Sequence, residues 1–306
     1  MFGPSRHNPR FSLPTRPWLD VPFEPSVARR IPTGELEFPA VLAGISSPVR
    51  ALWVRGRLPD PAQPALSIVG ARAASVAGCG RAGEMAATAV RRGCAIISGG
   101  ALGIDAAAHR GALAAGGATF AVLGCGVDVV YPDRHAALFA QIATTGGLLS
   151  EYPPGTPPRG GNFPVRNRIV AALSGTVLVV EASFASGALV TARLAARLGR
   201  RLLAVPGSSG TDGLIAAGQA RAIRDAAELG RALAGEVEPA ALVPAPFVGL
   251  VAALERSDAG AAELARRLAL SLPAALALLA EAELGGWVHR RPGGVYGISR
   301  EAVHAN

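Results

Sequence analysis

The sequence predicts an α/β fold: a doubly wound, Rossmann-like, mostly parallel sheet followed by a small C-terminal winged-helix domain. Three observations carry that expectation. From Leu66 onward, short apolar runs alternate with small-residue helical stretches. The first two runs, Leu66-Ser67-Ile68-Val69 and Cys94-Ala95-Ile96-Ile97-Ser98, each stop at a glycine-rich turn that leads into a helix, the strand–turn–helix unit of a doubly wound sheet. Third, Thr176-Val177-Leu178-Val179-Val180 is an almost continuous apolar run, as a central parallel strand covered on both faces requires.

Taken in order, residues 1–35 are rich in proline and arginine, lack a hydrophobic period and read as a mobile leader. The Rossmann-like domain is expected over 36–235, a Pro- and Ala-rich linker over 236–246, and the winged helix over 247–306. Phe38 to Leu42 suggests a short helix, and Ala51 to Gly56 a strand packed against the main sheet. A helix is predicted from about Gly78 to Arg92 and another after Gly103. Thr119 to Leu123 reads as a strand, Ala136 to Thr144 as a helix, and Leu148 to Ser150 as a strand. The Pro- and Gly-dense stretch Glu151 to Pro164 is the longest irregular piece, and it delivers Phe163 to Arg168 to the start of a helix; long ordered loops in compact domains are usually functional. Ser186 starts the next helix, Arg201 to Val205 is a strand, and Gly210 to Gly218 reads as a further glycine-rich turn. In the tail, helical patterns at Gly249–Arg256, Ala261–Leu268 and Leu272–Leu284 precede two short strands, Trp287–Arg290 and Val295–Ile298. Three helices and a hairpin of this size describe a winged helix.

Composition narrows the function classes. At 306 residues with half of them hydrophobic, the chain has ample core for one large domain and an appendage. No apolar run is long and charge-free enough to cross a bilayer, and the N-terminus has no signal-peptide h-region, so a cytoplasmic protein is expected. Cys79, Cys94 and Cys125 lie far apart, the five histidines do not cluster, and neither a metal nor a cofactor is expected. Every basic residue is arginine; without lysine, a P-loop ATPase and Schiff-base chemistry are excluded. The formal charge is +8, and residues 247–306 carry six arginines against six acids, so the excess lies in the large domain. A footprint for a polyanion belongs there.

The glycine-rich turns Gly70-Ala71-Arg72 and Gly99-Gly100-Ala101-Leu102-Gly103-Ile104-Asp105 suit an anion, most simply a phosphate, held by backbone N–H groups and a helix N-terminus. Arg72, two residues past its strand, has the reach to fork onto a phosphate. Arg166-Asn167-Arg168 opens a helix with two guanidiniums that oppose the helix dipole, a cost that an anion between them would relieve. Gly78-Cys79-Gly80-Arg81-Ala82-Gly83 matches the dinucleotide fingerprint, but it starts eight residues past Gly70 and lacks the ribose acid; a close-packed helix face explains it better. Asp105 reads as a first-turn cap and Glu181 as an acid orienting an arginine. No histidine stands at a spacing that would make either an acid–base catalyst, and no catalytic residue is expected. The third tail helix carries two acids and no arginine, unlike a DNA-reading helix, which favours a protein contact or a packing role.

These motifs together resemble the DprA/Smf (DNA-processing protein A) family. The resemblance covers Ser67 to Arg72, Ser98 to His109, Ser150 to Pro153, Phe163 to Ser174, Val180 to Ala192, Pro206-Gly207 and Gly210 to Gly218, in that order. It implies a Rossmann-like domain that binds single-stranded DNA without sequence preference, a homodimer, a RecA partner, and a role in natural transformation, guarding incoming strands and loading RecA without catalytic turnover. It places the DNA pocket on Gly70, Ala71, Arg72, Gly99, Gly100, Ala101, Gly103, Asp105, Phe163, Arg166, Asn167, Arg168, Ser186 and Gly187. The chain departs from the family pattern at Ala71, where Ser is usual, at Leu102, where Arg is usual, and at Asp212, where Asn is usual; the family's frequent helical N-terminal domain is replaced by the leader. The rival reading is a nucleotide-hydrolysing Rossmann enzyme that cleaves a base from a ribose phosphate, suggested by Pro206-Gly207-Ser208-Ser209-Gly210-Thr211.

Overall fold

A computed structural model describes residues 28–235, 247, 249–250, 253–254, 257–284 and 288–298. Most of the expected leader, the expected linker and much of the first tail helix lie outside these residues. The chain divides into two compact units, residues 1–230 and 231–306, and each is described by itself.

The first unit is a nine-stranded sheet. Its strands are β1 (Arg29–Pro32), β2 (Ala51–Gly56), β3 (Ala65–Val69), β4 (Ala95–Ser98), β5 (Thr119–Val122), β6 (Gly147–Ser150), β7 (Thr176–Val179), β8 (Arg201–Ala204) and β9 (Arg221–Ala222). They lie in the order β1-β2-β6-β5-β4-β3-β7-β8-β9. The seven strands from β6 to β9 are parallel, and β2 and β1 add an antiparallel edge. The helices are α1 (Val76–Arg91), α2 (Ile104–Ala114), α3 (Ala136–Thr145), α4 (Asn162–Ala172), α5 (Gly187–Arg197), α6 (Ser209–Ala216) and α7 (Ala226–Leu233). The strands β4 to β7 are buried at every position, which is why they read as unbroken apolar runs.

Side-chain alternation sorts the core into two layers. Val122, Leu149, Val177 and Val179 pack with Ile169, Val170, Leu189 and Ala192 of α4 and α5 on one face. Ala121, Leu123 and Leu148 pack with Leu138, Phe139 and Ile142 of α3, and with Ala106 of α2, on the other. The fingerprint-like glycines lie inside α1, where Gly83 meets Gly111 of α2 so closely that a Cβ on Gly111 would strike the Gly83 backbone. Gly83 thus serves helix packing, whereas Gly78 makes room for the Glu181 carboxylate and Gly80 faces open space.

Four expectations need correction. The leader reading extended to residue 35, but Arg29–Pro32 pairs with β2 as an edge strand, with Ile31 buried against Phe38 and Leu52. The stretch from Gly210 is a helix, α6: Ser208 stands at its N-cap, and Asp212 accepts from Gly207 N at 2.8 Å. Residue 210 is glycine within this helix because a Cβ there would meet the carbonyls of Ala182 and Ser183 at 2.7 and 2.9 Å. Helix α7 was not expected, although Asp225 caps its start: Asp225 accepts from Glu228 N at 2.7 Å, and Glu228 reaches back to accept from Arg224 N. Finally, the strand of residues 51–56 lies within the sheet, between β1 and β6.

The second unit contains β10 (Ala259–Gly260), α8 (Ala261–Arg267), α9 (Leu272–Leu284), β11 (Val288–Arg291) and β12 (Val295–Ile298). The three strands form an antiparallel sheet in the order β10-β12-β11; β10 was not anticipated. Leu250, Leu254, Leu264, Leu279, Val288 and Tyr296 make its core. α9 buries Ala275, Leu279 and Ala282 and exposes Leu272 and Leu276.

Candidate functional site

In the first unit the chain runs outward from β3 through β4, β5 and β6, then returns to place β7 on the other side of β3. The switch point of this sheet therefore lies between the carboxyl ends of β3 and β7, where open α/β sheets bind ligands. A cleft of about 520 Å³ opens there, walled by Gly70–Arg72, Gly99, Ala101, Asp105, Phe163, Arg166, Asn167, Glu181, Ser183, Ser186 and Gly187, with Ser208 and Ser209 at the far end.

The two glycine-rich turns are built as one piece. Ala71 donates its N–H to the Glu181 carbonyl at 2.7 Å, and its own carbonyl accepts from Ile104 N at 3.2 Å. Gly103 has φ +75° and touches the carbonyls of Ala71 and Arg72, so a side chain there would separate the turns. Asp105, buried in the first turn of α2, reaches back to accept from Gly99 N at 3.1 Å and Ala101 N at 3.3 Å. Burial raises its pKa, and the Arg166 guanidinium and these N–H donors oppose the rise. Three of the N–H groups expected to hold an anion (those of Ala71, Gly99 and Ala101) are therefore engaged within the protein.

The arginines divide into different roles. Arg166 is 4 % exposed. Its Nη1 donates to the carbonyls of Gly99, at 2.5 Å, and Val122, and its Nε donates to Asn167 Oδ1 at 3.2 Å. Desolvation is the main cause that lowers its pKa, to about 10, with Asp105 acting in the opposite direction. Arg166 forms the cleft floor and braces two strand ends. Arg168 does not line the cleft. It forks onto Glu151 and donates to the Ser47 carbonyl at 2.9 Å. The anion expected between these two guanidiniums is thus replaced, for Arg168, by the protein's own carboxylate. Among the described residues Glu181 orients no arginine; it accepts from Ser75 Oγ at 2.7 Å and Ser75 N at 3.1 Å, fixing the start of α1.

Arg72 is the cation left facing the cleft. It has no carboxylate partner among the described residues, and its guanidinium lies over the Phe163 ring, 5.2 Å from the centroid. Phe163 stands in the first turn of α4 and packs against Tyr131 at 5.4 Å between centroids. The ring closes over Gly124, where a Cβ would meet it at 2.8 Å. Across the cleft, Ser186 caps α5 by accepting from Ala188 N at 3.2 Å. Gly187 opens that helix, so its N–H is one of the orphan donors of a helix N-terminus. Asn167 Nδ2 donates to the Gly187 carbonyl at 3.3 Å and so joins the Arg166 side to the α5 side. Gly100 and Leu102 line a smaller adjoining pocket of about 70 Å³ with Leu123, Tyr131 and Phe163, and the Gly100 carbonyl accepts from buried His135 Nδ1 at 3.1 Å.

Of the residues placed in the site from sequence, Gly70, Ala71, Arg72, Gly99, Ala101, Asp105, Phe163, Arg166, Asn167, Ser186 and Gly187 meet in one cleft. Gly100 belongs to the smaller pocket, Gly103 is a spacer between turns, and Arg168 stands outside. Sequence reasoning missed Tyr131, Ser183, Ser208 and Ser209. Tyr131, Ser183 and Ser208 sit in loops and Ser209 opens α6, where no periodicity marks them.

Residues 29–234 match the family model described as DNA recombination-mediator protein A. Protein Smf of Escherichia coli is 36% identical over 94% of this chain and 80% of its own length. The chain belongs to this family. Protein Smf of Synechocystis is 44% identical over 56% of this chain and 44% of its own length. The putative DNA processing protein DprA of Mycobacterium tuberculosis is 49% identical over 51% of this chain and 41% of its own; the chain therefore matches under half the length of these two relatives. Among solved structures, DprA of Streptococcus pneumoniae superimposes with a TM-score of 0.63 at 35% identity, covering 67% of this chain and 74% of that one. DNA processing protein A of Helicobacter pylori, whose structure concerns its single-stranded DNA binding mode, gives 0.60 at 30% identity, covering 65% and 94%. Among the described residues no helix is long and apolar enough to cross a membrane.

Proposed function

We propose that this protein binds single-stranded DNA without sequence preference in the switch-point cleft, protects incoming strands and loads RecA onto them during natural transformation, acting as a homodimer in the cytoplasm. The observation that carries the reading is Arg72 stacked on Phe163 at the mouth of a cleft whose opposite wall is the N-terminus of α5. A guanidinium for a phosphate beside an aromatic face for a base is the pairing that sequence-tolerant strand binding needs. A basic first unit adds long-range attraction for a polyanion. The Helicobacter relative, with its single-stranded DNA binding mode, supports the same assignment. Gly70, Ala71, Asn167, Ser186 and Gly187 contact the strand, while Asp105 and Arg166 shape the floor beneath it.

We propose no catalytic turnover. Both carboxylates of the cleft are tied to structural donors, Asp105 to Gly99 N and Ala101 N, and Glu181 to Ser75. The second unit we assign to a winged helix that contacts protein: α9, in the position of a reading helix, carries no basic residue and exposes Leu272 and Leu276.

The test is a salt-titrated binding curve with single-stranded and duplex oligonucleotides of one sequence. Tighter single-strand binding that weakens as salt rises is expected; equal affinity for the duplex, or no single-strand binding, overturns the reading. RecA nucleation on a strand coated by the protein, followed by the onset of RecA ATP hydrolysis, tests the loading step.

A further inference from the structure

We infer that Phe184 is a second base-stacking platform, at the opposite end of the cleft from Phe163, taking the face of a nucleobase from a single strand laid along the strand ends. The inference rests on the proposed single-strand reading and extends it to a residue not placed in the DNA pocket from sequence.

Phe184 is 73% exposed, the most exposed aromatic side chain among the large exposed hydrophobics of the first unit. An exposed phenylalanine forgoes a large burial term, so its position matters. It lies in the loop between β7 and α5, next to Ser183 and two residues before Ser186, both of which line the cleft. The loop is pinned at each end. Ala182 N donates to Ser208 Oγ at 3.0 Å, and Ser186 N donates to the Ser183 carbonyl at 3.0 Å. The Phe184 ring leans on α6 at Gly213, where a Cβ would stand 3.3 Å from ring atom Cε1. The glycine thus makes room for the ring on one side while the rest of it stays open to solvent.

The surroundings favour a base over a protein partner. Ser183, Ala185 and Ser186 are small, so no chain neighbour extends the ring into an apolar patch of the kind that marks protein contacts. A single flat ring beside a phosphate-type cleft is the element that stacks one base regardless of its identity.

The spacing also fits a strand. Phe163 closes over Gly124 at the end of β5, whereas Phe184 follows β7 and leans on the helix after β8. At about 4.8 Å between neighbouring strands, β5 to β7 is three steps and β5 to β8 four, placing the platforms roughly 14–19 Å apart. Between them lie Arg72, Asn167, Ser183 and Ser186, a polar row for the backbone, with an aromatic face at each end.

The experiment compares the full chain with Phe184→Ala and Phe184→Trp on a long oligo-dT strand across a salt series. The alanine variant should bind between about five- and 150-fold more weakly, with an unchanged log–log salt slope, because no phosphate contact is lost. Its thermal melt should match the parent, since the ring is exposed. The tryptophan variant should keep its affinity and gain indole emission that the strand quenches. Parent-like affinity in Phe184→Ala, or a new indole that the strand does not quench, overturns the inference while leaving the single-strand reading intact. A parent protein that binds no single strand overturns both.

Discussion

Arg168 forks onto Glu151: Nη1 lies 2.6 Å from Oε1 and Nη2 2.7 Å from Oε2, with both side chains less than one-fifth exposed. This pair ties the middle of α4 to the residue that follows β6, and the same guanidinium holds the Ser47 carbonyl. The hydrogen bonds to Glu151 are the main cause that raises the Arg168 pKa. Sequence alone placed Arg168 on the DNA; the geometry makes it a fastener for the loop that delivers Phe163.

Arg168→Ala is therefore expected to lower stability by about 1–3 kcal/mol, because it strands a largely buried carboxylate. Arg168→Lys restores the charge but not the fork, and should recover only part of that loss. Denaturant melts measure both. The salt slope of single-strand binding should stay at the parental value in each variant, and a flatter slope for Arg168→Ala would return this residue to the DNA interface.

Arg72→Ala should weaken binding to all single-strand sequences alike and flatten the log–log salt slope by about 0.7, the release from one phosphate contact. Arg72→Lys retains the charge and hence the slope. It should still lose affinity, because an ammonium does not stack on the Phe163 ring as a guanidinium does. A salt titration with two unrelated sequences separates these outcomes; an unchanged slope in the alanine variant removes Arg72 from the path.

Leu102 is half-buried in the smaller pocket beside the cleft, next to Tyr131 and Phe163. Leu102→Arg should add a phosphate contact, tightening binding most at low salt and less as salt rises. Ala71→Ser should add a neutral hydrogen bond worth on the order of 1 kcal/mol. A thermal melt alongside the binding assay guards the interpretation. A Leu102→Arg protein that melts like the parent but binds no tighter at low salt shows that the second turn does not face the strand.

His109 and His135 are buried behind the second turn. His109 Nδ1 pairs with Thr119 Oγ1 at 2.7 Å, and the hydroxyl donates onward to the Ile96 carbonyl. Burial lowers both pKa values, that of His109 to about 3. Both rings stay neutral in the fold while the unfolded chain takes up protons near pH 6.5. The stabilisation is thus complete above the unfolded pKa and is lost as pH falls below it, by up to about 1.4 kcal/mol per pH unit for each ring. Asp105, with a raised pKa, acts in the opposite sense at lower pH, since its fold holds the proton more tightly. Urea midpoints should fall between pH 7 and pH 5. His109→Asn, whose amide N–H can replace the Nδ1 donor, should show a shallower fall; the parental slope in that variant would remove His109 as its source.

Much of the architecture was determined by the sequence alone. Apolar runs such as Thr176–Val179 can only be buried on both faces, and the turns after β3 and β4 need glycine where backbone meets backbone, as Gly103 meets Ala71. Those are local requirements, and they brought eleven of the residues named from motifs into one cleft. Tertiary structure decided what each side chain there is for. Whether an arginine meets a phosphate or a carboxylate depends on partners far away in the chain: Glu151 for Arg168, and the carbonyls of Gly99 and Val122 for Arg166. The same holds for the backbone donors engaged by Asp105, for Glu181 at the start of α1, and for Phe184, which was not placed in the site from sequence and which gains meaning only from the strand end where it stands. Periodicity reports burial, because burial repeats along an element; hydrogen-bond partnership is set by which strand ends the topology makes neighbours, and no local pattern encodes that.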